Sequence, residues 1–272
     1  MRRRLLLCLP ICFILAPEYP ARDNTLPPPP TVKDLKDDGG ALPKPKELER
    51  LAKEDPIGFL EVCLRRYDRE VKGYEATLIK QERVHGKLQK REEIQVSFRG
   101  KPFSVLMKWA KDPRPAQATL YVQGENRDLM FVLPTGLGAL AGAISIDPKG
   151  TLAMQSARYP ITESDIRTAM ASTRAYWIAA RDEKALHIKY EGVVKIPELD
   201  DRPCYKFVRK PYARPEADGI AQATFYFDQE TWLQTGSVLK TAEGDLVGEY
   251  FFRNVKLNPD FPKDLFTKKS LK

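Results

Sequence analysis

From Tyr74 to Leu257 apolar residues recur at every second position, in one short run after another, with turn residues between the runs. Successive side chains of a strand point to opposite faces, so such a pattern demands pairing edge to edge with one face dry. GYEATLIKQERV opens the series, and His85-Gly86-Lys87 reads as the turn that follows it. Ile94, Val96 and Phe98 alternate in a second run; Phe103, Val105, Met107 and Trp109 alternate in a third. Asp112-Pro113-Arg114-Pro115 breaks the chain, after which ATLYVQ and DLMFVL flank Gly124-Glu125-Asn126 as a hairpin. After Glu183 the pattern returns in ALHIKYEGVVKI, CYKFVRK, ATFYFD, WLQTGSVLK and LVGEYFFRNVKL, with residues 210–220 as a long loop. About ten strands joined by short turns, without strand–helix–strand alternation, exclude a parallel sheet and predict an antiparallel α+β fold.

Two helices interrupt the strands. Phe59, Leu60, Cys63, Leu64, Tyr67 and Val71 form an apolar stripe of helical period, started by Asp55-Pro56 and ended by Gly73. Ile166, Met170, Thr173 and Trp177 form a second stripe, with Tyr176 beside it and Thr162 and Asp165 as a start resembling a capping box. Residues 134–150, before this second helix, are apolar and glycine-rich, and predict a mobile flap or surface turn. Gly136, Gly138 and Gly142 lack the Gly-Lys-Ser/Thr ending of a phosphate loop.

The N-terminus reads as an address. Arg2, Arg3 and Arg4 precede twelve apolar residues from Leu5 to Ala16, too few for a membrane span but suited to an export signal. Residues 1–21 are therefore expected to be removed. Neither Cys8 nor Cys12 is preceded by the small residues of a lipidation signal, so an unanchored chain is expected. Residues 22–55, with Pro27 to Pro30, Gly39-Gly40 and alternating charges, predict a linker, and residues 56–272 the folded domain. Folded structure is expected to begin near Glu47 or Pro56. An exported compartment permits a disulfide between Cys63 and Cys204; a small buried thiol on the helix stripe explains Cys63 equally.

The formal net charge is +8. The signal segment holds +2 of it and the linker −1, which leaves the domain at +7, scattered among acidic residues. With no recognition motif beside these cations, nucleic acid is not an expected partner. The sequence has two histidines, His85 and His187, and no G-x-S-x-G, H-E-x-x-H or C-x-x-C pattern. The carboxylate pairs Glu92-Glu93, Asp182-Glu183 and Asp200-Asp201 fall at predicted strand edges or turns, as solvated charges do. No catalytic group, cofactor or metal ligand set is therefore expected.

The order of elements carries a resemblance. A helix precedes a meander holding Arg99, Pro102, Phe103 and Trp109; Gly124, Phe131 and Pro134 mark a hairpin and an aromatic strand. YPITESDI opens the helical insert, and the last strand and tail hold Tyr250, Phe252, Asn254, Asn258 and Phe266. Over residues 56–267 this layout resembles the LolA/LolB-like lipoprotein-carrier superfamily, and within it a secreted bacterial family of unknown function. The resemblance implies an incomplete, unclosed β-barrel covered by helices, whose concave apolar face accepts the acyl chain of a lipid or lipoprotein. Each CH₂ buried there contributes about 0.8 kcal/mol. It also implies a gating role for Arg99, although Gly100 and Lys101 separate this arginine from Pro102, where such carriers have the two adjacent.

Alternation places Val96 and Phe98, then Val105, Met107 and Trp109, then Phe225 and Phe227, on shared strand faces as candidate lipid-binding residues. Met170 and Trp177 join them from the second helix, and Phe131 from the strand beside the glycine-rich segment. The expected protein is a monomeric, non-catalytic, periplasmic or envelope carrier, with an envelope membrane protein as a further partner. Two alternatives use the same fold: a sensor of envelope stress, and a structural protein whose cavity is filled by its own side chains.

Overall fold

The computed structural model describes residues 30–271 except residues 34, 112, 114, 115 and 211–218. The expected signal segment, the first linker residues, and parts of the Asp112–Pro115 break and of the 210–220 loop lie outside the described residues. Helices α1 (Pro45–Glu54) and α2 (Pro56–Glu70) lead into β1 (Gly73–Val84), β2 (Lys87–Leu88), β3 (Glu92–Arg99) and β4 (Ser104–Trp109). Then come β5 (Ala116–Val122), β6 (Met130–Pro134), β7 (Ile144–Ile146), the one-turn α3 (Thr151–Met154) and the long α4 (Ile166–Asp182). Strands β8 (Ile188–Val194), β9 (Cys204–Arg209), β10 (Gln222–Asp228), β11 (Gln234–Lys240) and β12 (Leu246–Leu257) complete the order.

The sheet runs β7-β6-β5-β4-β3-β1-β12-β11-β10-β9-β8, every neighbouring pair antiparallel, with β2 folded back on β1. Strands β7 and β8 are its two edges, so the barrel is unclosed. The pairing of β1 with β12 makes two wings, β3–β7 and β8–β12, that meet at the first and last strands. Relative to the ten expected strands the additions are β2, a two-residue return, and β7, a three-residue strand inside the glycine-rich segment.

Both long helices begin where their capping residues dictate. Asp55 accepts the Gly58 amide at 2.9 Å and Pro56 occupies the first turn of α2; Asp165 accepts the Thr168 amide at 3.0 Å. Gly73 belongs to β1 rather than to the helix end. A Cβ there would lie 2.5 Å from the Phe98 carbonyl oxygen, so only glycine admits the close approach of β1 to β3. Helix α1 falls inside the segment expected as linker. Leu48, Leu51 and Ala52 share one of its faces, and Leu48 and Ala52 are wholly buried. That stripe is short and lies among seven charges, which hides it from a reading of periodicity.

The inner face of the sheet and the helices form the main core. The outer face carries two smaller layers. On one wing Leu106, Ala118, Leu120 and Val122 lie under the C-terminal Phe266 and Leu271; on the other Ile79, Cys204 and Phe251 lie under Leu199. Cys63 packs on the inner side and Cys204 on the outer, so the sheet separates them and both are free thiols. Burial pushes both thiols up, that of Cys204 to about 12.

Candidate ligand-binding site

The inner face is filled at one end and empty at the other. Beneath α2, Phe59 meets Phe207, Phe227 and Tyr205 at ring distances of 4.9, 5.3 and 5.4 Å. Beneath α4, Trp177 meets Phe225 at 5.6 Å and Phe207 at 5.8 Å. These tilted and edge-on rings leave no room for a guest. Between α4 and strands β4–β7 the layers stand apart around a cavity of about 650 Å³, inside the range of about 300–1,000 Å³ typical of small-molecule sites.

Met107, Trp109, Thr119, Met130, Val132 and Ile144 form its wall on the first wing. Leu78 and Phe252 form the floor on β1 and β12, and Trp177 and Phe225 the far side. Leu152 and Ala153 of α3, with Pro30 and Val32 of the N-terminal segment, border it. Nearby, Leu137 and Leu140 of the glycine-rich turn are 86% and 85% exposed.

Of the ten candidates read from sequence, Met107, Trp109, Trp177 and Phe225 line this cavity. Val96, Phe98 and Val105 share the inner face but are packed core; Phe98 stacks on Tyr74 at 4.9 Å and meets Phe103 at 5.4 Å. Met170 and Phe227 are wholly buried in the same core. Phe131 stands on the opposite face. It alternates with Met130 and Val132, which line the cavity, and packs instead in the outer layer, with Lys268 Nζ 5.3 Å from its ring. Arg99 is also turned outward. Its neighbour Phe98 points in, while its guanidinium lies 4.6 Å from the Phe266 ring and donates to Ser104 Oγ at 3.0 Å. Arg99 is therefore a clasp for the C-terminal tail and stands away from the cavity.

The polar residues of the cavity escape a reading for apolar alternation. Tyr74, Ala76 and Leu78 are the inward residues of β1, and the next two inward positions are Lys80 and Glu82. Lys80 Nζ lies 2.8 Å from Glu82 Oε2 and 3.3 Å from Glu92 Oε2. Tyr250 Oη donates to Glu82 Oε1 at 2.8 Å, and Trp109 Nε1 to Glu92 Oε1 at 2.7 Å. Burial works against the Lys80 ammonium, yet the two carboxylates outweigh it and hold its pKa above the ordinary lysine value. Burial, reinforced by the Glu82 charge, raises the Tyr250 phenol well above its usual range, which keeps it a hydrogen-bond donor. Glu92 is thus a cavity residue, whereas its sequence position reads as a solvated strand edge. A charge in phase with an apolar stripe is the signal that finds this group.

Further along, Thr173 donates to Gln234 Oε1 at 3.1 Å, and the buried Arg209 also borders the cavity. Among the described residues no group of three or more His, Cys, Asp or Glu is placed to hold a metal ion. No helix among them is long and apolar enough to cross a membrane.

An unclosed antiparallel half-barrel with a helix-covered cavity defines the class of protein. The chain belongs to the family described as "Protein of unknown function (DUF1571)", whose model matches residues 71–271. No curated protein matches it. Among solved structures it is similar to a chain of the Pseudomonas aeruginosa MucA/MucB complex at 12% identity and TM-score 0.46, covering 78% of this chain and 60% of that one. It is similar to the Mycobacterium tuberculosis lipoprotein LppX at 12% identity and TM-score 0.40, covering 76% and 99%. A LolA superfamily protein from Nitrosomonas europaea shares 11% identity at TM-score 0.33, covering 78% and 98%. At these identities the likeness is one of fold alone.

Proposed function

We propose that this protein is an exported, non-catalytic envelope carrier that shields the acyl chain of a lipid or lipidated protein in its half-barrel cavity. The observation that supports this is the cavity of about 650 Å³ between α4 and β4–β7, walled by methionine, aromatic and aliphatic side chains. An acyl chain needs apolar contact and few polar partners, and this wall offers that. The same volume counts against a protein whose cavity is filled by its own side chains. Export follows from the basic and apolar start; intact-mass measurement of the native protein is expected to give a chain lacking residues 1–21 and without a diacylglycerol adduct on Cys8 or Cys12.

Native mass spectrometry of protein purified from membrane extracts tests the carrier reading, together with binding of the neutral apolar dye Nile red. The expected result is a bound acyl species and saturable dye fluorescence. Protein that is consistently empty and never binds the dye would refute it.

A further inference from the structure

The cavity is apolar along most of its length but closes on charge at one end. That end is built by strand register: Lys80 pairs with Glu92 across β1 and β3, and with Tyr250 across β1 and β12. Lys80, Glu82 and Glu92 all border the cavity, with Tyr250 and Trp109 beside them. We infer that this pole is the seat of a ligand head group, one that donates hydrogen bonds and carries no net negative charge, such as the hydroxylated head of a monoacylglycerol. The inference rests on the carrier reading and specifies its ligand.

The count of donors and acceptors points to that chemistry. Each of the four carboxylate oxygens of Glu82 and Glu92 accepts one hydrogen bond or ion contact. A carboxylate oxygen can accept two, so every one of them has acceptor capacity left over. Lys80 uses two of its three donors on the same carboxylates. The pole therefore has more unused acceptors than donors, and one ammonium stands against two carboxylates. Arg158, which also borders the cavity, is tied to the Arg83 carbonyl at 2.9 Å. A hydroxylated head supplies the missing donors and offers an oxygen to the third Lys80 N–H. A fatty-acid carboxylate supplies no donor and places a third anion beside Glu82 and Glu92, where low polarity strengthens repulsion.

The test is competition for bound Nile red at neutral pH by monolauroylglycerol and by laurate, which share one acyl chain. On the unaltered protein monolauroylglycerol is expected to displace the dye at a concentration at least about tenfold lower, the scale of one hydrogen bond to a charged acceptor. Glu92→Gln removes one charge and keeps the shape, and is expected to bring the two lipids to within about threefold of each other, with Glu82→Gln as a second variant. Laurate displacing as well as or better than the glyceride on the unaltered protein would overturn the head-group assignment and leave the carrier reading standing. So would a preference unchanged in both folded variants. A protein that binds neither Nile red nor either lipid would overturn both.

Discussion

The two parts of the inner face follow one rule of alternation and reach opposite results. Under α2 and α4 the inward positions of β9 and β10 are Tyr205, Phe207, Phe225 and Phe227, and the helices answer with Phe59 and Trp177. Across the cavity the inward positions of β4–β7 are Met107, Trp109, Thr119, Met130, Val132 and Ile144, and what covers them is a glycine-rich turn and the single turn of α3. Ring against ring closes the first part. Smaller and more flexible side chains beneath a thin cover leave the second open. The lesson is that inward alternation identifies a dry face, while the residues on the opposing layer decide whether that face is core or cavity.

The largest effect that can test this contrast is expected in the closed part. Phe207 is wholly buried against Phe59, Trp177 and Phe227. Phe207→Ala is expected to cost about 3–5 kcal/mol, read as a lower denaturant midpoint. A cost below about 1 kcal/mol would mean that these rings are not the packed core described here.

In the open part the same severity of change is expected to separate binding from stability. Met107→Glu places a carboxylate in the cavity wall, where it can be hydrated in the empty protein but must lose water beside an acyl chain. Nile red binding should vanish, and the stability cost should stay under about half of that for Phe207→Ala. If the variant unfolds as readily as Phe207→Ala, the wall at Met107 is solid core and the contrast is broken.

Much of this was legible in the sequence. The period-two runs located the ten longer strands, and the stripes at Phe59 and Ile166 located α2 and α4 with their caps. The candidate site was legible only in part, because alternation sorts residues by face within a strand and says nothing about neighbouring strands. Val96, Phe98 and Val105 therefore read like Met107, although only Met107 meets empty space. Phe131 was misread because its strand is apolar on both faces, Met130 and Val132 inward and Phe131 and Leu133 outward under the tail. Lys80 and Glu92 are invisible as a pair until β1 and β3 are placed in register, twelve residues apart across a turn.

A smaller effect is expected at the exposed leucines near the open end. Leu137 and Leu140 contact solvent rather than core, so Leu137→Ser combined with Leu140→Ser is expected to leave stability within about 0.5 kcal/mol. A larger loss would show that the glycine-rich turn packs on the wall, and that the open part is better covered than described.

The smallest effect concerns the segment that borders the cavity from the N-terminal side. Pro30 and Val32 reach the cavity, and the chain that follows is fastened to α2 by Asp37, which receives two bonds from the Arg69 guanidinium. Arg69 also donates to the Gly40 carbonyl at 2.7 Å, and Arg65 pairs with Asp38. The Arg69 hydrogen bond, helped by the Gly39 amide, holds the Asp37 carboxyl at about 2, below its ordinary 3.8. A folded-state pKa that is depressed means the clasp contributes fully above the ordinary value and is lost as pH falls through the folded one. The window is therefore from about pH 4 down to about pH 2. Because the clasp is exposed, its contribution to global stability is small and screened by salt, and the expected readout is local. Amide exchange of residues 35–42 should accelerate across that window while α2 beneath the aromatic core keeps its protection. Asp37→Asn should produce the same local loosening at neutral pH. If residues 35–42 and α2 instead lose protection together, the segment is part of the closed core, and the division between a filled end and an open one would have to be redrawn.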